Sequence, residues 1–96
     1  MLDKILMSQD FNSAFHHLSL NKRKVVAQKI KFLVKDPRYP SLQAHPIKRL
    51  GGLIWECSID RGRSGMRLLY EIQGKSLLLW HLGRHAIVER AHLLPF

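Results

Sequence analysis

Residues 53–82 read LIWECSIDRGRSGMRLLYEIQGKSLLLWHL, and this stretch decides the fold. Leu53–Ile59 is apolar with a β-type composition, Asp60–Gly65 is a turn, and Met66–Ile72 is a second strand. Gln73-Gly74-Lys75 turns the chain into a third, Ser76–Leu82, whose apolar run suits a central position. Three strands joined by short turns form consecutive hairpins, hence an antiparallel meander.

Upstream of the meander the hydrophobic period is helical. Phe11, Ala14, Phe15 and Leu18 recur at i, i+3, i+4, i+7, with Ser8 or Asp10 as the cap. Asn21 can cap a second helix, with Leu20 and Val25 as a hydrophobic staple and Val26, Ile30, Leu33 and Val34 as the buried stripe. Asp36-Pro37 ends it, since the residue before proline is pushed out of the helical region. The two helices are expected to pack as a hairpin. Lys4-Ile5-Leu6-Met7 reads as a short strand, Arg38–Gly52 as a long loop with two further prolines, and Gly83 as a strand breaker before a short helix over Ala86–Leu94. The expectation is one α+β domain over residues 1–96, with order β-α-α-β-β-β-α and two N-terminal helices on one face of a small antiparallel sheet.

Composition narrows the function. Ninety-six residues carry 16 Lys plus Arg against 7 Asp plus Glu, a formal charge of +9 and a pI near 10.3. At 46% hydrophobic the chain can fill a core, which argues against disorder. A single cysteine, Cys57, excludes an internal disulfide framework and a thiolate zinc site and fits a reducing compartment. The start lacks a basic n-region followed by a long apolar run, and no stretch approaches the ~20 apolar residues that span a bilayer. A cytoplasmic protein is expected. Nine cations (Lys22, Arg23, Lys24, Lys29, Lys31, Lys35, Arg38, Lys48, Arg49) against Asp36 alone concentrate the excess between Asn21 and Arg49. Such a cluster suits a polyanionic partner, while the commonplace alternative is a solvated helix face.

Arg67 and His85 stand out as candidates for chemistry. Arg67 lies on a strand where Leu68, Leu69 and Tyr70 alternate across the sheet, and His85 follows the third strand closely enough to meet it at the sheet's end. His45, Lys48 and Arg49, in the loop entering the adjacent strand, can reach the same place. Arg, Lys and His converging without a carboxylate make a phosphate site. The chemistry this suits is metal-independent RNA transesterification. A base takes the 2′-OH proton, the oxygen attacks phosphorus, an acid protonates the leaving oxygen, and cations hold the charge on the phosphoryl group. Histidine suits either proton role and arginine the phosphate.

Each candidate has a plainer reading. A strand arginine more often pairs with a carboxylate, here Glu56 or Glu71, and His85 alone is more often a surface or capping residue. His81 and His85 have the i, i+4 spacing of a helical metal pair, but the strand and Gly83 remove that geometry, so no metal or other cofactor is expected. His16 and His17 read as structural, Trp55 and Trp80 as core, and Cys57 as a buried thiol.

Four stretches carry a resemblance: Phe15-His16-His17-Leu18 before a basic helix; Asp36-Pro37 with Pro40-Ser41-Leu42; Gly65-Met66-Arg67-Leu68-Leu69-Tyr70; and Leu79-Trp80-His81-Leu82-Gly83-Arg84-His85. Their order and spacing resemble the RelE/ParE superfamily of bacterial toxins from type II toxin-antitoxin systems, and the RelE-like mRNA interferase branch in particular. The resemblance covers nearly the whole chain. It implies a ribosome-dependent mRNA endonuclease that inhibits translation, with an antitoxin, the ribosome and mRNA as partners. It places Arg67 on the scissile phosphate and His85 in acid/base or charge stabilisation, with His45 and Lys48 as further catalytic residues. Arg49, His81, Arg84, Glu89, Lys24 and Lys31 are then the candidates for RNA contact. The family's aromatic, four to six residues beyond the His85 position, is replaced by Glu89, Arg90 and Ala91. Either Glu89 supplies a proton-handling group, or Phe96 folds back, or activity is weak or lost. Two alternatives remain at this stage: a non-catalytic toxin of the same fold that grips a target such as DNA gyrase, and a non-toxic RNA- or ribosome-binding module.

Overall fold

The structure, a computed structural model, describes residues 2–37, 43–60, 65–84, 86–90, 93, 94 and 96. Strand β1 (Lys4–Met7) is followed by helices α1 (Gln9–His16) and α2 (Leu20–Lys35), a two-residue strand β2 (His45–Pro46), and a single 3-10 turn at Lys48–Leu50. The meander follows as β3 (Ile54–Ser58), β4 (Met66–Gln73) and β5 (Ser76–Arg84), and then one helical turn, α3 (Ala86–Glu89). Spatial order is β1-β5-β4-β3-β2. The meander is antiparallel as expected, and β2 extends it antiparallel to β3. β1 adds parallel to β5, because two helices and not a tight turn carry the chain away from it.

One face of the sheet carries the main core. Cys57, Leu68, Tyr70, Leu77 and Leu79 pack there with Phe11 of α1 and Val26 and Leu33 of α2. Ala14, Phe15, Leu18, Ile30 and Val34 complete the two helical stripes read from the sequence. The Tyr70 hydroxyl donates to the Pro37 carbonyl at 2.7 Å, which fixes the chain where it leaves α2.

Several local expectations are corrected. α2 is capped by Ser19, whose Oγ accepts from the Lys22 N–H, and not by Asn21. Leu20 and Val25 are therefore inside the helix and exposed, so they form no staple. Of the two caps expected for α1, Ser8 is the one used: its Oγ accepts from Phe11 N–H at 3.0 Å and donates to the Trp80 carbonyl, tying the helix start to β5. Gly83 does not break the third strand but lies inside β5. A Cβ there would stand 2.7 Å from Ile87 Cγ2, so the glycine lets α3 close onto the sheet. The helix after β5 spans only Ala86–Glu89.

Candidate active site on the open sheet face

The face opposite α1 and α2 holds the polar candidates. Alternation along β4 puts Arg67, Leu69 and Glu71 there, and cross-strand register brings their neighbours into rows. One row reads His45, Glu56, Leu69, His81 across β2, β3, β4 and β5; the next reads Ser58, Arg67, Gly83. A bulge makes this possible on β5. Leu69 pairs with His81 but Tyr70 pairs with Leu79, so Trp80 is the extra residue, and Trp80 and His81 both turn to the open face. Trp80 is thus in the smaller cluster with Ile47, Ile54, Leu69, Ile87 and Val88, not in the helix-side core where Trp55 lies.

Glu56 is the residue that sequence reasoning passed over as a site member. It is 4% exposed, and its Oε1 lies 2.9 Å from His45 Nε2. His45 Nδ1 lies 3.0 Å from the Gln43 carbonyl, so both ring nitrogens face oxygen acceptors; a doubly protonated ring donates to both, a neutral one to only one. Nothing in the sequence marks Glu56, because its burial and its pairing with His45 follow from the register of β2 against β3.

The expected structural partners of Arg67 are engaged elsewhere. Glu56 takes His45, while Glu71 accepts from Trp80 Nε1 at 3.1 Å and from Gln73 Nε2 at 2.8 Å. Arg67 is half-buried, its Nε is shielded from solvent without a hydrogen-bond partner, and no carboxylate pairs with it among the described residues. Its row neighbour Gly83 has no side chain to cover it. A guanidinium held this way retains donors for an oxyanion.

The remaining candidates divide. His81 is buried, with Nδ1 3.8 Å from Asp10 Oδ2 and its ring edge-on to Phe96 at 4.9 Å. Phe96 also meets Trp80 edge-on at 5.6 Å, so it does fold back over this face. Lys48 is exposed on the 3-10 turn; Arg84, exposed at the end of β5, pairs in register with Met66 of the helix-side core, so alternation places it on the opposite face from Arg67. Lys24 and Lys31 line an outer surface of α2, in the layer that covers the opposite face, and do not join the others. His85 lies outside the described residues, between Arg84 and α3, as do the side chains of Arg49 and Glu89. Burial pushes the Cys57 thiol up to about 12, which leaves it protonated and inert near neutrality. Among the described residues no group of three His, Cys, Asp or Glu is arranged to hold a metal ion, and no helix is long and apolar enough to cross a membrane.

No family model matches the sequence, and no curated protein matches it either. Solved structures do. A copper-bound mutant toxin from Helicobacter pylori is 30% identical, covers 90% of this chain and 97% of its own, and superposes with a TM-score of 0.72. The isolated E. coli RelE toxin is 13% identical over 92% of this chain and 97% of its own, with a TM-score of 0.68. The E. coli DinJ-YafQ toxin-antitoxin complex contains a chain 17% identical over 90% of this one and 96% of its own, with a TM-score of 0.61. The order of elements, the near-complete coverage in both directions and the identity to the Helicobacter toxin agree with the motifs read from the sequence: the chain belongs to the RelE-like toxin superfamily.

Proposed function

We propose that this protein is the toxin of a toxin-antitoxin system and acts as a metal-independent, ribosome-dependent mRNA endonuclease. The observation that carries the reading is Arg67: a half-buried guanidinium with no carboxylate partner among the described residues, next to a row containing a His–Glu pair and a second histidine. Arg67 holds the non-bridging oxygens of the scissile phosphate and stabilises the charge that builds there. His85 and His45 exchange protons with the 2′-OH and the leaving 5′ oxygen, with Glu56 orienting His45 and Lys48 adding positive charge at the rim. The step needs a 2′-OH, so RNA and not DNA is the substrate.

The α2 lysines act apart from the chemistry. Lys24 and Lys31 belong to the helix layer, so their charge serves docking on ribosomal RNA. The DinJ-YafQ complex supports an antitoxin as the protein partner. Expression of Arg67→Ala and of His85→Ala tests the reading: each relieves growth arrest and stops mRNA cleavage while the variant stays folded. Unchanged cleavage in both removes the assignment, and arrest with intact mRNA and DNA-damage signalling replaces it with a gyrase-directed toxin.

A further inference from the structure

The open face has a second, chemically different half. Beyond the row of His45, Glu56 and His81, a cleft of about 400 Å³ is walled by Trp80 and Phe96, floored by Ile54 and edged by Leu53, Glu71 and Gln73. Leu53 is 70% exposed and Phe96 41%, so apolar surface here lies uncovered beside two aromatic rings. The polar groups converge on Glu71. Its Oε1 accepts from the Trp80 indole and its Oε2 from the Gln73 amide, which fixes the carboxylate while each oxygen keeps a free lone pair. Aromatic walls with one positioned hydrogen-bonding edge form the makings of a site for a planar heterocycle.

We propose that this cleft is a nucleobase subsite selective for guanine. The inference rests on the ribonuclease reading, because it supplies the RNA whose flanking base enters the cleft. Glu71 lies four residues along β4 from Arg67, about 13 Å at strand rise, which suits the base of a nucleotide flanking the scissile bond. A carboxylate accepts and cannot donate. Guanine alone among the four bases presents two adjacent donors, N1–H and the N2 amino group, on its pairing edge. Adenine and cytosine set a ring acceptor beside their amino group, and uracil flanks its one N–H with carbonyls, so each opposes a lone pair to the carboxylate. Gln73 Nε2 has a second N–H that could donate to guanine O6. Trp80 and Phe96 contribute stacking, which is indifferent to the base.

The test is a titration of the full chain with guanosine, adenosine, cytidine and uridine 5′-monophosphates, followed by the two tryptophan indole N–H resonances. Trp55, on the helix-covered face, is the internal control. The Trp80 signal is expected to move, with the guanosine nucleotide bound about tenfold more tightly than the others. Glu71→Gln erases that preference, and Phe96→Ala weakens all four nucleotides alike while keeping it. Equal affinities, equal movement of both indoles, or a preference that survives Glu71→Gln overturns the subsite. A chain that cuts RNA yet shows no guanine preference in this titration refutes the subsite and leaves the nuclease reading standing; guanine binding at Trp80 without RNA cleavage does the reverse.

Discussion

The two faces of this sheet are made by alternate residues of the same strands: the helix side buries apolar groups almost throughout, whereas the open side buries a smaller apolar cluster together with polar and charged groups. On the helix side Cys57, Leu68 and Tyr70 are shielded from solvent against Phe11, Val26 and Leu33, and the only polar atom of those residues that needs a partner, the Tyr70 hydroxyl, has one. On the open side Glu56, Ser58 and His81 are as inaccessible as core residues, and the shielded Arg67 Nε has no hydrogen-bond partner among the described residues. Burying charged and polar groups costs free energy that an apolar replacement would avoid. The helix face and the apolar cluster of the open face can be explained by stability; the polar groups buried beside that cluster are the ones the proposed function would use.

That contrast breaks down if variants on the two faces behave alike. The largest expected effect is on the helix face, where Leu33→Ala empties a fully buried site and costs about 2–5 kcal/mol of stability by chemical denaturation, with activity per folded molecule retained. Arg67→Ala is expected to do the opposite: cleavage falls by about 100-fold or more, as for loss of a donor to a developing oxyanion, while the denaturation midpoint holds or rises. If Arg67→Ala instead unfolds the protein, the arginine is a structural residue. Glu56→Gln keeps the volume and removes the charge opposite His45, so cleavage drops by about tenfold, a fraction of the full worth of acid/base assistance. A Glu56→Gln variant with full activity would mark the pair as merely structural.

The effect that is smallest near neutral pH concerns Cys57 and grows as pH rises. Burial raises its folded value to about 12 from an ordinary 9.0, so the unfolded chain loses the thiol proton first. The stability this contributes is complete below about pH 9 and is lost as pH rises through the folded value. Cys57→Ala therefore loses less stability than the parent between pH 9 and 12, measured as the difference between their denaturation midpoints; parallel curves would mean that the thiol ionises freely in place.

The meander, the helical stripes of Phe11 and Val26, and the helix stop at Asp36-Pro37 were legible because each depends on period or on local sterics. Relations between distant segments were not. The parallel pairing of β1 with β5 depends on where two helices send the chain. The bulge at Trp80 is invisible in an unbroken apolar run, yet it decides that Trp80 and His81 share the open face. Gly83 looked like a breaker because its need for close approach comes from Ile87, on an element that returns from beyond the strand. For the site, residue type singled out Arg67 and His45, but the engagement of Glu56 and Glu71 by other groups could come only from cross-strand register.

The central claim is that the open face cuts RNA through the 2′ oxygen without a metal ion. It is tested most directly by identifying the new 3′ end of an mRNA cut on the ribosome in the presence of a chelator of catalytic metals that leaves the ribosome intact, with a matched message carrying a single 2′-deoxynucleotide at the cut. A 2′,3′-cyclic phosphate or its 3′-phosphate hydrolysis product, together with no cleavage at the deoxy position, is the predicted result. A 3′-hydroxyl end, or cleavage indifferent to the missing 2′-OH, would contradict it.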